Sequence, residues 1–329
     1  MYPLRACRGR HETGDGTLRL EIMAASDNPP VISVVIPCLG HARELAYCLQ
    51  ALEAQQGSPT FEVIVVDSAS DPAVEAVTRG FPRARLVRSS AGLSTGAARN
   101  AGASAASADI LAFIDADCIP EHGWIRAAAG CIHEGAALAG GPIMDVQPWH
   151  FIAASDNRLQ FVDFSPRRPA GTHPYLPGAH LAMPRNVLEA AGGFNPAAIV
   201  SQDILLTEPV ASENPDKVRF CPGMSVRHWG RSTWGQFLEH QRAFGYSRAA
   251  QKLRMNASLA WLGEHPILAW LVVMRRLAYI TLRVLQWNLA DLPRFILQLP
   301  VLLIGLTAWA RGFYEGMRAS RSSADAPPE

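Results

Sequence analysis

Between Val31 and Met144, short apolar runs rich in β-branched residues alternate with stretches whose apolar positions recur at helical spacing. Val31-Ile32-Ser33-Val34-Val35-Ile36, stopped by Pro37, reads as a strand buried on both faces. Leu45, Leu49 and Leu52 place a helix within His41–Gln56. Phe61–Val66 is a second buried strand ending at Asp67, and Asp71-Pro72 opens a short helix with proline at its first position. Arg85–Val87 is a brief third strand, and the small residues of Gly92–Ser107 suit a close-packed helix. Ile110–Ile114 is a fourth strand, ending at Asp115-Ala116-Asp117; a helix from Pro120 to about His133 and a strand within Ala136–Met144 follow. This alternation predicts an α/β fold, a mostly parallel sheet with helices on both faces. Ligands of such sheets bind beyond the carboxyl ends of the strands, where Asp67, Asp115 and Asp117 stand.

The pattern then changes. Pro148–Pro177 carries several prolines and aromatics and reads as an irregular, substrate-facing loop region in which Trp149, His150, His173, Tyr175 and His180 are candidates to line an acceptor. Short helices are expected at Asn186–Ala191 and around Gln202–Ala211, interrupted at Pro209, with a strand at Val218–Phe220 and a longer helix over Trp234–Met255. Pro266–Leu289 and Pro293–Ala310 are hydrophobic C-terminal helices. Arg275, Arg276 and Arg283 suit the first to the membrane interface rather than the bilayer centre, and the second is near the lower limit for spanning, with Pro300 as a kink. A buried soluble hairpin is the alternative.

Of the 329 residues, 49% are hydrophobic and 18% charged, and the apolar excess lies mostly after Trp261. A net charge of +1 gives no ground for nucleic-acid binding. The six cysteines show no C-x-x-C pair or zinc spacing and read as thiols rather than disulfides. Met1–Asn28 lacks a signal-peptide core. The expected organisation is a disordered leader over 1–30, a catalytic domain over 31–255, a membrane-associating helical region over 256–318 and a disordered tail over 319–329.

Two carboxylates one residue apart on a turn after a buried strand can share a hard divalent cation with a diphosphate, although acidic turns are also common solvated features. Here the turn has company. Val34-Val35-Ile36-Pro37, Glu62–Asp67, Gly96-Ala97-Ala98-Arg99-Asn100-Ala101-Gly102, Phe113–Asp117, Gly140-Gly141-Pro142 and Gly192-Gly193-Phe194-Asn195 occur in that order. In these blocks the chain resembles the family 2 glycosyltransferases of GT-A fold. The resemblance implies inverting transfer of a sugar from a nucleotide-sugar donor, with Mg²⁺ or Mn²⁺.

It further implies roles residue by residue. Pro37 borders the nucleoside; Asp67 accepts the imide proton of the base, or else caps its own turn; Arg99 reaches the base or diphosphate, or forms a plain salt bridge. Asp115 lies on the ribose or metal side, and Asp117 is the direct metal ligand. Asp203 matches the general base or caps its helix, with Gln202 where the family usually has an acid. The family's downstream arginine is absent, Leu205-Leu206-Thr207-Glu208 standing there. Gly40 replaces a usual asparagine, and Asp67-Ser68-Ala69-Ser70 has one acid where many relatives have two. His228 matches a histidine that closes the metal or diphosphate site, or is structural. Gln241-Arg242 does not continue into the Q-x-x-R-W pattern of processive synthases, which favours transfer of a single sugar. The acceptor expected is a glycan, lipid-linked or other hydroxyl, met at the cytoplasmic face of a membrane through residues 266–311. The altered acid at Gln202 leaves a catalytically inactive membrane-peripheral scaffold as the alternative. A nucleotidyltransferase or a dinucleotide dehydrogenase is excluded, because no glycine-rich loop follows the first strand.

Overall fold

The computed structural model describes residues 19–20, 29–89, 92–198, 200–255, 265 and 268–324. In chain order the elements are β1 (Arg19–Leu20), β2 (Ile32–Cys38), α1 (Ala42–Glu53), β3 (Phe61–Asp67), α2 (Pro72–Arg79), β4 (Ala84–Arg88), α3 (Thr95–Ala105), β5 (Ile110–Ile114), β6 (Cys118–Pro120) and α4 (Trp124–His133). There follow β7 (Leu138–Gly140), β8 (Ile143–Asp145), α5 (Phe151–Phe161), β9 (Gly171–Thr172), β10 (His180–Pro184), α6 (Arg185–Ala190) and α7 (Gln202–Glu213). The chain closes with β11 (Val218–Phe220), β12 (Val226–His228), α8 (Trp234–Met255), α9 (Leu268–Trp287) and α10 (Leu292–Ala324).

The main sheet runs β1-β4-β3-β2-β5-β10-β7-β11-β9. Strands β4, β3, β2 and β5 are mutually parallel, because a helix (α1, α2 or α3) joins each to the next in the chain. Both faces are covered, so Val34, Val35, Ile36, Val63–Val66 and Leu111–Ile114 are all at or near zero exposure. Helix α3 lies close on this sheet: a Cβ on Gly102 would stand 2.3 Å from Val35 Cγ1. Only glycine permits that approach.

Several sequence expectations need correction. Pro37 does not stop β2, which continues to Cys38 with Pro37 paired to Val66 of β3; a strand tolerates proline near its end. The sheet is mixed beyond β5, because β10 pairs antiparallel with it, Leu181 opposite Phe113. The strand foreseen within Ala136–Met144 divides at Gly141-Pro142 into β7 of the main sheet and β8 of a three-stranded sheet ordered β6-β12-β8. The loop foreseen over Pro148–Pro177 contains α5, capped by His150 Nδ1 accepting from Ala153 N at 3.3 Å. Helix α7 runs through Pro209. Cys131 and Cys221 form a disulfide, whereas Cys38, Cys48 and Cys118 are buried free thiols. β11 pairs beside β7 and returns Cys221 to the end of α4 across 90 residues, a closure that spacing does not reveal.

Except for Arg19 and Leu20, which pair with β4, the leader Met1–Asn28 lies outside the described residues. The tail departs from expectation too: α10 extends to Ala324, and only 325–329 are outside the description. Helix α8 packs along α10 through reciprocal glycines. A Cβ on Gly245 would stand 1.9 Å from the Trp309 carbonyl, and one on Gly312 equally close to that of Arg242. Phe237, Val273, Ile280, Val284, Phe295, Leu302 and Leu306 form a second core there. The opposite sides of α9 and α10 expose Trp270, Leu271, Met274, Leu282, Ile296, Leu297 and Ile304. Among the described residues one helical span, Leu289–Ala319, is long and apolar enough to cross a membrane, and 28% of its most apolar window is buried.

Candidate active site

Asp67 closes β3, in register with Cys38 of β2, and is 1% exposed. Its Oδ1 accepts from Ala69 N at 3.0 Å and its Oδ2 from Asp71 N at 2.7 Å. Asp67 thus caps the turn after its strand. Each carboxylate oxygen keeps a further lone pair, so the cap does not preclude a ligand N–H. Pro37 is buried in the adjacent strand. The Cys38 thiol is pushed up to about 12, first by burial and then by the carboxylates of Asp67, Asp71, Asp117 and Glu44. Three of these carboxylates, Asp67, Asp71 and Asp117, stand at or just beyond the strand tips around this thiol.

Asp115 and Asp117 leave β5 in different directions. Asp115 N donates to Ala179 O at 3.0 Å, and its Oδ1 accepts from Arg99 Nη2 at 2.7 Å. Arg99 is 3% exposed, stands 5.2 Å from the Phe194 ring centroid and donates also to the Gly178 carbonyl at 3.0 Å. A Cβ on Gly178 would lie 2.8 Å from both terminal guanidinium nitrogens, so a larger residue there would displace the guanidinium. Arg99 therefore spends its charge on Asp115 instead of projecting into a nucleotide space. Burial raises the Asp115 pKa, Arg99 opposes it and Asp117 adds to it, and the net shift is upward.

Asp117 meets β12. The small sheet sets Cys118, His228 and Asp145 side by side, because His228 is the register partner of both. Trp229 N donates to Asp117 O at 3.0 Å, which fixes β12 against the acidic turn. His228 Nε2 then lies 3.5 Å from Asp117 Oδ1, and Arg231 Nη1 lies 3.9 Å from Oδ2. Burial would raise the Asp117 pKa, but His228, Arg231 and His41 outweigh it and hold the carboxyl below its usual range. Asp117 Oδ1 is buried without a hydrogen-bond partner among the described residues. Such an atom is costly unless something positive meets it. Asp117, Cys118 and His228 present ligand atoms within 4.8 Å of one another. Burial and the neighbouring acids raise the Cys118 thiol well above its ordinary value, so it stays protonated and is a poor ligand for a hard cation. A carboxylate and an imidazole facing each other around an orphaned oxygen fit Mn²⁺ or Mg²⁺.

Asp203 stands in the first turn of α7 after Ser201, whose φ of 63° is left-handed. Its Oδ2 accepts from Gly178 N at 2.7 Å and its Oδ1 from Ile204 N at 2.9 Å. The peptide Gly178-Ala179 thereby joins three predicted residues: its carbonyls receive Arg99 and the Asp115 amide, and its amide is held by Asp203. Gln202, at the position of the missing acid, donates from Nε2 to Ala198 O at 3.0 Å. Of the residues proposed for the acceptor, His173 and His180 are buried and Trp149 is 75% exposed.

Sequence reasoning missed Gly178, Arg231, Asp145 and Asn157. Asn157 binds His228 Nδ1 at 2.8 Å, and its only sequence signal is the polar run Ser155-Asp156-Asn157-Arg158 between apolar residues.

Comparison with known proteins bears on the family and the fold. The family model described as Glycosyl transferase family 2 matches residues 33–188. Glycosyltransferase AglE of Haloferax volcanii is 27% identical over 54% of this chain and 60% of its own length. The pre-mycofactocin glycosyltransferase of Mycobacterium tuberculosis is 24% identical over 85% of this chain and 64% of its own length. The chain thus spans under two thirds of these curated relatives. Among solved structures, the mannosyltransferase PcManGT of Pyrobaculum calidifontis, in complex with GDP-Man and Mn²⁺, aligns with a TM-score of 0.55 at 16% identity. That alignment covers 94% of this chain and 91% of the other, a likeness of fold. Over residues 33–188 the chain carries a Glycosyl transferase family 2 domain, on a fold like that of the GT-A enzymes.

Proposed function

We propose that the protein transfers a single sugar, with inversion, from a nucleotide-sugar donor to a hydroxyl acceptor, using a divalent cation. Four groups divide the work. Asp67, with a lone pair free on each oxygen, would take the imide N–H of the base, beside Pro37. Asp115, locked by Arg99, lines the donor side. Asp203 would accept the acceptor's hydroxyl proton as its oxygen forms a bond to the anomeric carbon and the bond from that carbon to the diphosphate oxygen breaks. Asp117 and His228 would hold Mn²⁺ or Mg²⁺, which when bound offsets the charge gathering on the departing nucleoside diphosphate. The observation that carries this proposal is the unpartnered Asp117 Oδ1 facing His228 Nε2 at 3.5 Å. The PcManGT complex holds GDP-Man and Mn²⁺ on a similar fold and supports the same ligand classes.

The acceptor is proposed to be a glycan or lipid-linked hydroxyl met at a membrane surface, on the cytoplasmic side where nucleotide donors occur. The apolar side of α9 and α10 supports an interfacial seat: Leu271, Leu282 and Leu297 are each more than 60% exposed, as in a helix pair that lies in the headgroup region. A thermal-shift panel of UDP-, GDP- and dTDP-sugars with Mn²⁺ tests the donor, since a bound donor raises apparent stability by mass action. Asp117→Asn should abolish the Mn²⁺-dependent shift. Asp203→Asn should keep the shift and lose turnover. An Asp203→Asn protein that turns over at the wild-type rate refutes the assigned base, and absence of turnover with every donor in the wild type would favour a non-catalytic scaffold.

A further inference from the structure

His228 is 3% exposed, and its ring sits edge-on to Phe161 with centroids 5.1 Å apart. What it offers to Asp117 depends on which nitrogen carries the proton, and Asn157 decides that. Asn157 Nδ2 makes two hydrogen bonds, to Asp145 Oδ1 at 3.0 Å and to the His228 carbonyl at 3.0 Å. A backbone carbonyl cannot donate, so the atom facing it must be the amide nitrogen. That fixes the flip of the side chain and leaves Oδ1 against His228 Nδ1 at 2.8 Å. An amide oxygen carries no proton, so the proton of this bond belongs to Nδ1. A neutral imidazole has one N–H, and Nε2 is then a bare lone pair, 3.5 Å from the unpartnered Asp117 Oδ1. In this neutral form two acceptors face each other, and a cation between them takes the place of the second ring proton through which a charged His228 would meet Asp117.

We propose that Asn157, anchored by Asp145, is a positioning residue that fixes His228 in its Nδ1–H tautomer and so turns Nε2 into a cation ligand. This rests on the cation site proposed above at Asp117 and His228. The backbone explains why the arrangement is stable. Asp145 and His228 are register partners on β8 and β12, and α5 crosses them with Asn157 5% exposed, so one amide reaches both strands. Outer groups of this kind set ligand orientation, and their removal costs about 10- to 100-fold in metal affinity.

The test uses full-length protein. In the metal-free state, ¹⁵N chemical shifts of the histidine ring should show His228 protonated at Nδ1 in the wild type and a mixture of tautomers in Asn157→Leu. Titration with Mn²⁺ alone, following the free ion by its electron paramagnetic resonance signal, should show about 10- to 100-fold weaker binding by Asn157→Leu. The double variant Asn157→Asp/Asp145→Asn should recover part of that affinity, because a carboxylate still accepts from Nδ1–H and the exchanged amide donates to it, while the bond to the His228 carbonyl is lost. A merely structural role would not produce this recovery. Should Asn157→Leu fail to fold, Asp145→Ala leaves the amide in place without its anchor and should weaken Mn²⁺ several-fold. A wild-type His228 protonated at Nε2, beside intact Mn²⁺ binding, overturns the positioning role alone. So does a folded Asn157→Leu that retains wild-type affinity. Absence of Mn²⁺ binding to the wild type overturns the cation site, and with it the purpose assigned to Asn157.

Discussion

Replacing Arg99 by methionine removes a guanidinium that bonds Asp115 Oδ1 at 2.7 Å and the Gly178 carbonyl at 3.0 Å, while keeping an apolar stem against Phe194. Breaking a fully buried ion pair from one side costs about 3–5 kcal/mol, because the surviving charge is left without a partner. The Asp115 side chain is 28% exposed, so water takes up part of its charge and the loss should come to about 2–3 kcal/mol. Urea unfolding of the full-length protein reads this as a midpoint lower by about 1 M. The double variant Arg99→Met/Asp115→Leu removes both charges, and buried pairs replaced by apolar groups are near neutral. Its stability should return to within about 1 kcal/mol of wild type. Nucleotide affinity should stay low in both variants, since the donor-side carboxylate is displaced in one and absent in the other. The reasoning is refuted if Arg99→Met unfolds at the wild-type midpoint. It is refuted equally if the double variant is as unstable as the sum of the two single ones.

Gly312→Ala would gain about 1 kcal/mol from helix propensity alone. The new Cβ would stand 1.9 Å from the Arg242 carbonyl, so a net loss of about 1–3 kcal/mol by thermal unfolding is expected as α10 is forced off α8. Leu271→Lys/Leu297→Lys changes two residues exposed by 65% and 61%, and should lower co-sedimentation with phospholipid vesicles at least tenfold without altering the melting temperature. His180 has no exposed surface, donates from Nε2 to the Gly141 carbonyl at 3.1 Å and is held by burial at about 4. Its unfolded value is near 6.5, so between about 4 and 6.5 the unfolded chain binds the extra proton and stability falls as pH falls. Unfolding measured at pH 7.5 and at pH 5 should differ by about 2 kcal/mol from this residue, and His180→Gln should remove that part of the difference.

The half of the fold built from β2 to β5 was legible because its strands are continuous β-branched runs and its helices carry a clean apolar stripe. Strand β10 was not, because His180-Leu181-Ala182-Met183-Pro184 lacks β-branched residues and follows a proline-rich stretch. Helix α5 escaped for a different reason. Its Ser155, Asp156, Asn157 and Arg158 are all buried, so the segment has no polar side to mark a helix. The Cys131–Cys221 pairing depends on two strands meeting 90 residues apart, and spacing alone carries no information about it. Within the site, Asp115, Asp117 and His228 stood out by motif, whereas the partner of Arg99 did not. A motif names residue types, and the choice between Asp115 and a bound nucleotide is made by Gly178, a residue outside every motif block.

The burial of Asp156, Asn157 and Arg158 in succession on α5 has a geometric cause. Successive helical residues point about 100° apart, so a helix enclosed on all sides can serve three directions in three residues. Asp156 accepts from Gln241 Nε2 at 2.9 Å and bonds His240 Nδ1 at 3.0 Å, which ties it to α8. Asn157 turns toward His228 and Asp145. Arg158 donates from Nε to Gln298 Oε1 of α10 at 2.8 Å and pairs with Asp291 beside the start of that helix. Apolar packing alone would let α8 and α10 slide along the domain with little penalty, since dispersion contacts are not directional. Hydrogen bonds from buried charged groups are directional, and breaking one strands a charge. The helical appendage is therefore held to the catalytic domain in a single register, through the same turn of helix that orients His228. A helix pair seated at a membrane surface would thus present Asp117 and His228 at a fixed height and angle above it.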